Sequence, residues 1–155
     1  MKAIGFRAEP SVVSWAVVEG STGEPILNGA DKLKAPASFD EAAALKWFRE
    51  QTQRLVQAYL PSVAVVRSPE TFFPRQPKYQ SLYQRCRVEG VLVETLYSCG
   101  VPVLTGAMAT ISSKLGSKAA KHYLPNSDFR GLDWSKCDDK KKEAILAAAS
   151  ALPGE

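Results

Sequence analysis

The sequence has little of the side-chain chemistry on which many enzymes depend. Its one histidine, His122, lies in a lysine-rich stretch without a recognisable serine or cysteine nucleophile, so a histidine-based triad has little support. Cys86, Cys99 and Cys137 are widely spaced and form no Cys-x-x-Cys pair, so we expect reduced, buried or half-buried thiols and no zinc site. No Gly-x-Gly-x-x-Gly motif follows the first predicted strand, which argues against a dinucleotide cofactor.

Long apolar runs are also missing. No run approaches the roughly 20 residues that a membrane-spanning helix needs, and the N-terminus lacks the basic-then-apolar pattern of a signal peptide. We therefore expect a cytoplasmic protein with no membrane partner. A chain of 155 residues fits a single domain, 1–155, which can bury roughly 70% of its unfolded surface. The net charge of +4 permits binding to a polyanion without requiring it.

The apolar pattern predicts alternating strands and helices. A Val-rich hairpin opens the chain, and Gly5 within it indicates the close approach of another backbone. Ser38 and Glu41 have the spacing of a capping box, Gly90 is expected to permit close packing of its helix on a strand, and an aspartate at 138 or 139 caps the last helix. The predicted strands are residues 3–6, 12–18, 26–33, 62–67 and 101–105, and the predicted helices are 38–60, 79–99, 106–114 and 138–152.

Two segments suit contact with nucleic acid. In the loop 71–78, Phe72 and Phe73 stand beside Arg75, and such aromatic side chains can stack on bases while cations follow phosphates. The commoner arrangement, which we expect here, is that both rings tuck under the loop. Segment 112–118 supplies hydroxyls, glycine and the cations Lys114 and Lys118, which suits phosphate contact. This segment lacks the spacing of a P-loop, so an ATPase is not indicated. The late concentration of basic residues is either a solvated surface or a nucleic-acid footprint.

Four short motifs carry a family resemblance. Ile4-Gly5-Phe6 and the following hairpin are similar to an opening Ile-Gly-Ile-Asp motif, and residues 87–93, RVEGVLV, are similar to a glycine-containing helix. Residues 115–118, LGSK, resemble a basic loop, and residues 143–147, EAILA, resemble a final Asp-Ala-Leu-Ala helix. The chain thereby resembles the RuvC and YqgF Holliday-junction resolvase-like branch of the RNase H-like superfamily. The resemblance implies an α/β fold with a mixed five-stranded sheet, helices on both faces, and a homodimer.

The same resemblance implies a two-metal site, with carboxylates from the first strand, the fourth strand and the last helix. At the matching positions the chain has Arg7, Arg67 and Lys140, and only Glu143 falls where a family carboxylate lies. Three cations cannot hold magnesium. The motifs therefore imply a degenerate active site, no metal ligands and no cofactor.

The preferred hypothesis is a catalytically degenerate resolvase-like protein that binds nucleic acid, DNA more than RNA, or a partner protein through its basic former active-site cleft. In this hypothesis Arg7 and Arg67 contact phosphate directly, because a guanidinium binds phosphate bidentately and keeps its charge. Arg75, Lys114 and Lys118 extend the track. More than one activity fits the sequence, so two alternatives stay open.

The first alternative is an active metal-dependent endonuclease with displaced carboxylates. Glu9, Glu70 and either Asp139 or Glu143 would then be the catalytic residues and would hold Mg²⁺ or Mn²⁺.

The second alternative is a structural or interaction domain that does not bind nucleic acid. In that case Glu9 pairs with Arg7 and Glu70 with Arg67, and Asp139 neutralises the third cation, Lys140.

Overall fold

A five-stranded mixed sheet forms the centre of the computed structural model, which describes residues 1–116 and 119–154. The strand order is β3-β2-β1-β4-β5. The first three strands pair antiparallel, whereas β1 pairs parallel with β4 and β4 with β5. This confirms the predicted mixed sheet and places the first and fourth strands side by side. The strands are β1 (Lys2–Ala8), β2 (Val12–Gly20), β3 (Pro25–Lys34), β4 (Val63–Arg67) and β5 (Val103–Gly106).

Four α-helices connect or follow these strands. They are α1 (Glu41–Tyr59), α2 (Tyr79–Ser98), α3 (Met108–Lys114) and α4 (Asp139–Ala149). Before α4 lie a short 3₁₀ turn (Ala120–His122) and the two-residue strands β6 (Asp128–Phe129) and β7 (Leu132–Asp133). Within the described residues, none of the helices combines the length and the apolar character that a bilayer crossing requires.

The sheet carries a separate hydrophobic core on each face, because side chains alternate along a strand. Ile4 and Phe6 belong to the core that includes Phe48 of α1 and Leu92 of α2. Their neighbours on the opposite face, such as Ala3 and Val65, belong to the core that α4 covers. Helices therefore lie on both faces, as predicted; β4 is buried throughout, and β1 is buried from Ala3 onwards.

Gly5 lets α4 rest directly on β1. A Cβ atom at Gly5 would lie 2.1 Å from the carbonyl oxygen of Ala144 and 2.6 Å from the amide nitrogen of Ala148. The predicted approach of another backbone is thus confirmed. The prediction for Gly90 is wrong, because that residue is exposed and a Cβ there would have no neighbour within 4 Å.

The helix caps follow the sequence in one case and depart from it in another. Asp138 caps α4 as predicted, since its carboxylate accepts from the Lys141 amide at 2.9 Å. The Ser38 capping box is wrong: Asp40 caps α1 and accepts from the Ala43 amide at 2.8 Å. Ser38 instead belongs to the preceding turn, which the Phe39 amide closes by donating to the carbonyl of Pro36.

The expected burial of the cysteines is wrong at two positions. Cys86 and Cys99 are exposed, and Cys137 is half-buried. Cys86 lies on the solvent side of α2, and Cys99 is the residue that ends this helix.

Candidate nucleic-acid interface

Two buried arginines come together where β1 and β4 end. The parallel register pairs Gly5 with Val65 and Phe6 with Val66, so Arg7 and Arg67 follow at the same edge of the sheet. By the alternation along each strand, both arginines share the face on which α4 lies. Glu143 of α4 meets them there. The structure thus brings together three of the residues that the sequence singled out.

One carboxylate serves both guanidinium groups. Arg7 donates from Nε to Oε2 of Glu143 at 2.8 Å, and Nη2 of Arg67 lies 3.7 Å from Oε1 of the same residue. Arg7, Arg67 and Glu143 are only 7%, 8% and 9% exposed. Burial lowers the pKa of Arg67; the Glu143 carboxylate opposes this effect, and the nearby charge of Arg7 adds to it. The two guanidiniums are therefore held in ion pairs and do not project freely into solvent.

The two predicted acid–arginine pairs have different outcomes. Glu70 pairs with Arg67 at 3.4 Å, as expected, and its carboxylate also accepts from the Met108 amide at 3.0 Å at the start of α3. The expected pair between Glu9 and Arg7 does not form, because Arg7 faces α4 and meets Glu143 there.

A second, largely buried ion pair lies on α2 and was not anticipated. Arg85 donates from Nε to Oε1 of Glu89 at 2.8 Å. Burial is the main cause of both pKa shifts: it lowers the pKa of Arg85 and raises the pKa of Glu89. The charge of Arg7 adds to burial in lowering the pKa of Arg85, and the attraction of Arg85 opposes burial in the pKa of Glu89. The i,i+4 spacing of an arginine and a glutamate was the available sequence signal.

A cleft of about 250 Å³ opens beside these ion pairs. We call it the basic cleft. It lies between the turn after β1, the start of α2 and the start of α4. Its lining residues are Arg7, Glu9, Pro10, Phe73, Pro77, Lys78, Ser81, Leu82, Arg85 and Lys140.

The aromatic loop before α2 stays open to solvent. Phe72 is 78% exposed and Phe73 39%, so the expectation that the loop covers both rings is wrong. Arg75 is exposed in the same loop. On the first turns of α2, Tyr79 and Tyr83 stack with ring centroids 6.2 Å apart.

Lys114 does not join this group. It lines a separate pocket with Thr22 and Arg130. Thr22 belongs to the turn between β2 and β3, at the end of the sheet where β1 begins, whereas Arg7 lies near the end of β1. The predicted track that joins Arg7 to Lys114 is therefore wrong: α3 carries Lys114 away from the edge where β1 and β4 end. Lys118 lies outside the described residues.

The residues at this edge do not fit the divalent ions that the resemblance implies. Mg²⁺ and Mn²⁺ need several oxygen ligands, but Arg7 and Arg67 occupy the strand positions, and the one family-like carboxylate, Glu143, already accepts from Arg7. Across residues 1–116 and 119–154, His, Cys, Asp and Glu side chains nowhere form a group of three or more that could hold a metal ion. Glu9, Glu70, Asp139 and Glu143 therefore form no such group.

The fold is shared with solved resolvase structures. No protein-family model and no curated protein sequence matches the chain. A structure of Thermus thermophilus RuvC matches 97% of this chain and 92% of its own at 19% identity and a TM-score of 0.79. T. thermophilus RuvC in complex with a Holliday junction substrate matches 97% of this chain and 91% of its own at 18% identity and a TM-score of 0.77.

A more distant neighbour is the yeast mitochondrial Holliday junction resolvase Ydc2. It matches 96% of this chain and 77% of its own at 12% identity, with a TM-score of 0.62. The order and pairing of the five strands, the helices on both faces and these matches agree. The chain therefore has the RNase H-like fold of the RuvC-type Holliday-junction resolvases.

Proposed function

We propose that this chain is a single-domain, catalytically degenerate resolvase-like protein that binds nucleic acid through the basic cleft. The observation that carries the proposal is the set of cations at the edge where β1 and β4 end, with Arg7, Arg85 and Lys140 around one opening. The shared fold supports it, because one neighbour with this fold was solved on a Holliday junction. A cation-lined concave surface attracts the phosphate backbone whatever its sequence.

The ion pairs support the loss of catalysis. In a two-metal nuclease, one ion activates water and the other stabilises the leaving oxygen, and both depend on free carboxylates. Here Arg7 engages the buried carboxylate of Glu143. Arg67 and the Met108 amide engage the half-buried carboxylate of Glu70. We infer that the chain hydrolyses no phosphodiester bond and needs no Mg²⁺ or Mn²⁺.

The exposed aromatic side chains favour one class of nucleic acid. Phe72, Phe73, Tyr79 and Tyr83 expose their rings, Phe73 also lines the basic cleft, and Arg75 is exposed in the same loop as the two phenylalanines. Bases stack on such rings only when they are not already stacked in a helix, and each stacked base contributes about 1–3 kcal/mol. DNA with unpaired or splayed bases, such as a junction or a single strand, is the ligand we propose, with RNA second.

Fluorescence anisotropy with labelled four-way junction, single-stranded and duplex DNA tests the proposal across a salt series. The logarithm of the affinity should fall linearly with the logarithm of the salt concentration, by about 0.9 per phosphate contacted in duplex and about 0.7 in single strands. Arg75→Gln should weaken binding. The control variant Arg54→Gln removes the same charge from an exposed position in the C-terminal half of α1 and should leave binding unchanged.

The same samples distinguish the two alternatives. Cleavage of junction DNA in Mg²⁺ or Mn²⁺, lost in Glu70→Gln, would establish the nuclease with displaced carboxylates. Failure to retain junction, single-stranded or duplex DNA, or RNA, at low salt would favour a domain that interacts only with proteins.

The homodimer and the cytoplasmic location stay predictions from the sequence. Sedimentation equilibrium tests the first. A monomer mass across the micromolar range would show that the implied dimer does not form at these concentrations.

A further inference from the structure

The basic cleft contains four cations, of which only two are neutralised. Arg7 is paired with Glu143, and Arg85 with Glu89. Lys78 and Lys140 line the same cleft and form no ion pair with any described residue. The two lysines reach the cleft from the starts of α2 and α4. The cleft therefore keeps an excess of positive charge, although Glu9 also lines it.

Lys140 is the more unusual of the two lysines because it is half-buried. Burial lowers the pKa of its ammonium group; Arg7 lowers it further, whereas Glu143 and Glu9 act in the opposite direction. A cation that loses water without gaining a hydrogen-bonded counter-ion is unfavourable. An anion seated beside Lys140 would remove this cost.

Arg85 supplies a second, independent sign of a missing ligand. Its Nε donates to Glu89, but its Nη2 is buried and has no hydrogen-bond partner among the described residues. Buried donors of this kind are rare, and an unmet donor costs about 1–3 kcal/mol, more when charged. One helical turn earlier, Ser81 also lines the cleft and brings a hydroxyl. A ligand with several acceptor oxygens in the cleft would lie against the Ser81 hydroxyl and the guanidinium of Arg85, whose side chain is 14% exposed.

The size of the cleft limits what can occupy it. Its volume of about 250 Å³ is below the roughly 300 Å³ at which pockets for drug-sized molecules begin. A phosphoryl group with an attached sugar is a ligand of suitable size and charge. A divalent cation would be repelled by the same four side chains.

We propose that the basic cleft is a metal-independent phosphate subsite, in which Lys140 and Arg85 are the direct ligands. The assignment rests in part on the proposed function, since a phosphodiester of bound nucleic acid is one source of the phosphate. A free or terminal phosphate is the other source. In this assignment Lys140 and Arg85 contact the phosphate. Arg7 and Arg67 do not, because Glu143 already engages both guanidinium groups.

The test uses the whole chain in the presence of EDTA. The first measurement is the affinity for a labelled single-stranded oligonucleotide across a salt series, and the second is equilibrium dialysis with radiolabelled inorganic phosphate. Lys140→Gln should weaken oligonucleotide binding several-fold and reduce the salt slope by about 1, and it should abolish retention of inorganic phosphate. Lys140→Arg should restore both. Lys141→Gln removes the same charge from the next residue of α4, which does not line the cleft, and should change neither measurement.

The outcomes separate the subsite from the proposed function. If the wild-type chain binds the oligonucleotide and Lys140→Gln binds it with the same affinity and salt slope, the subsite is wrong and the proposed function stands. If the wild-type chain binds inorganic phosphate through Lys140 but retains no nucleic acid, the subsite stands for free phosphate and the proposed function fails. If neither ligand binds, both fail. Binding that requires Mg²⁺ and disappears in EDTA would overturn metal independence.

Discussion

Gly5 and Ala144 are in backbone contact across the sheet and the last helix: a Cβ atom on Gly5 would lie 2.1 Å from the carbonyl oxygen of Ala144. This contact sets the height of α4 above β1. Glu143 is the residue before Ala144, so the same contact determines where its carboxylate meets Arg7. The arrangement of the site therefore depends on a residue that carries no side chain.

Gly5→Ala should destabilise the fold by about 3 kcal/mol or more, because overpacking against backbone cannot be relieved by a rotamer change. Chemical denaturation of the variant measures the loss of stability. A variant that fails to fold would also support the close packing of α4 on β1. A free energy of unfolding within about 0.5 kcal/mol of the wild type would contradict the packing of α4 on β1 described here.

Gly90→Ala should have the opposite effect. The residue lies in the interior of α2, is exposed, and has no atom within 4 Å of an added Cβ. Alanine restricts the unfolded chain and favours the helix, so we expect a gain of about 1 kcal/mol. The same denaturation experiment checks it, and a loss of stability would mean that this surface of α2 has a neighbour.

Glu143→Ala should be among the most damaging substitutions at the site. It would leave Arg7 and Arg67 buried and close together without their shared carboxylate. Breaking a buried pair from one side costs about 3–5 kcal/mol. Glu143→Gln keeps an acceptor oxygen for Arg7 and should lose less. Denaturation of both variants gives the order, and equal losses would show that the charge alone matters.

The ion pair of α2 should behave differently when both partners are replaced together. Glu89→Ala alone should destabilise the protein by about 3–5 kcal/mol, because Arg85 stays buried and unpaired. The double variant Arg85→Met, Glu89→Leu should recover most of this loss, since replacing both partners removes the burial cost that lowers the pKa of Arg85 and raises that of Glu89. A double variant as unstable as Glu89→Ala would show that the pair stabilises the fold.

The strands of this fold could be predicted because their signals are local. A Val-rich run predicts a buried strand wherever it pairs, and Gly5 indicated the close approach that α4 makes. The buried face of α2 was harder. Periodicity counts apolar side chains, so it included Cys86, which is exposed, and missed Glu89, which is buried because Arg85 pairs with it.

The sequence predicted which residues meet at the centre of the site, but not which of the surrounding basic residues join them. Arg7, Arg67 and Glu143 converge as expected, because parallel neighbours and a covering helix bring fixed positions together. The spacing of basic residues does not indicate the direction of α3, so the sequence wrongly predicted that Lys114 lies beside Arg7 and Arg67. Which donors lack partners, as Nη2 of Arg85 does, depends on packing that no single segment encodes.

Lys140→Met should stabilise the protein at neutral pH while it abolishes phosphate binding. Burial holds the pKa of Lys140 below its ordinary value of 10.5, which we take for the unfolded chain. Below the folded pKa both states are protonated, so the full cost of burying the charge is present. As the pH rises through the folded pKa of Lys140, the folded state loses this proton before the unfolded state does. The free energy of unfolding of the wild type therefore increases toward pH 10.5, relative to that of Lys140→Met.

The difference between Lys140→Met and the wild type should therefore be largest near neutral pH and shrink as the pH approaches the ordinary lysine pKa. Because the side chain is only half-buried, the gain at neutral pH should not exceed about 1 kcal/mol. Urea denaturation of both proteins across this range measures the difference, in which the other titrating groups cancel. Lys141→Met is the matched control and should show no such trend. A Lys140→Met variant that is more stable but no longer binds phosphate is the result expected if Lys140 is retained for binding at the expense of stability. A variant less stable than the wild type at every pH would show that Lys140 supports the fold instead.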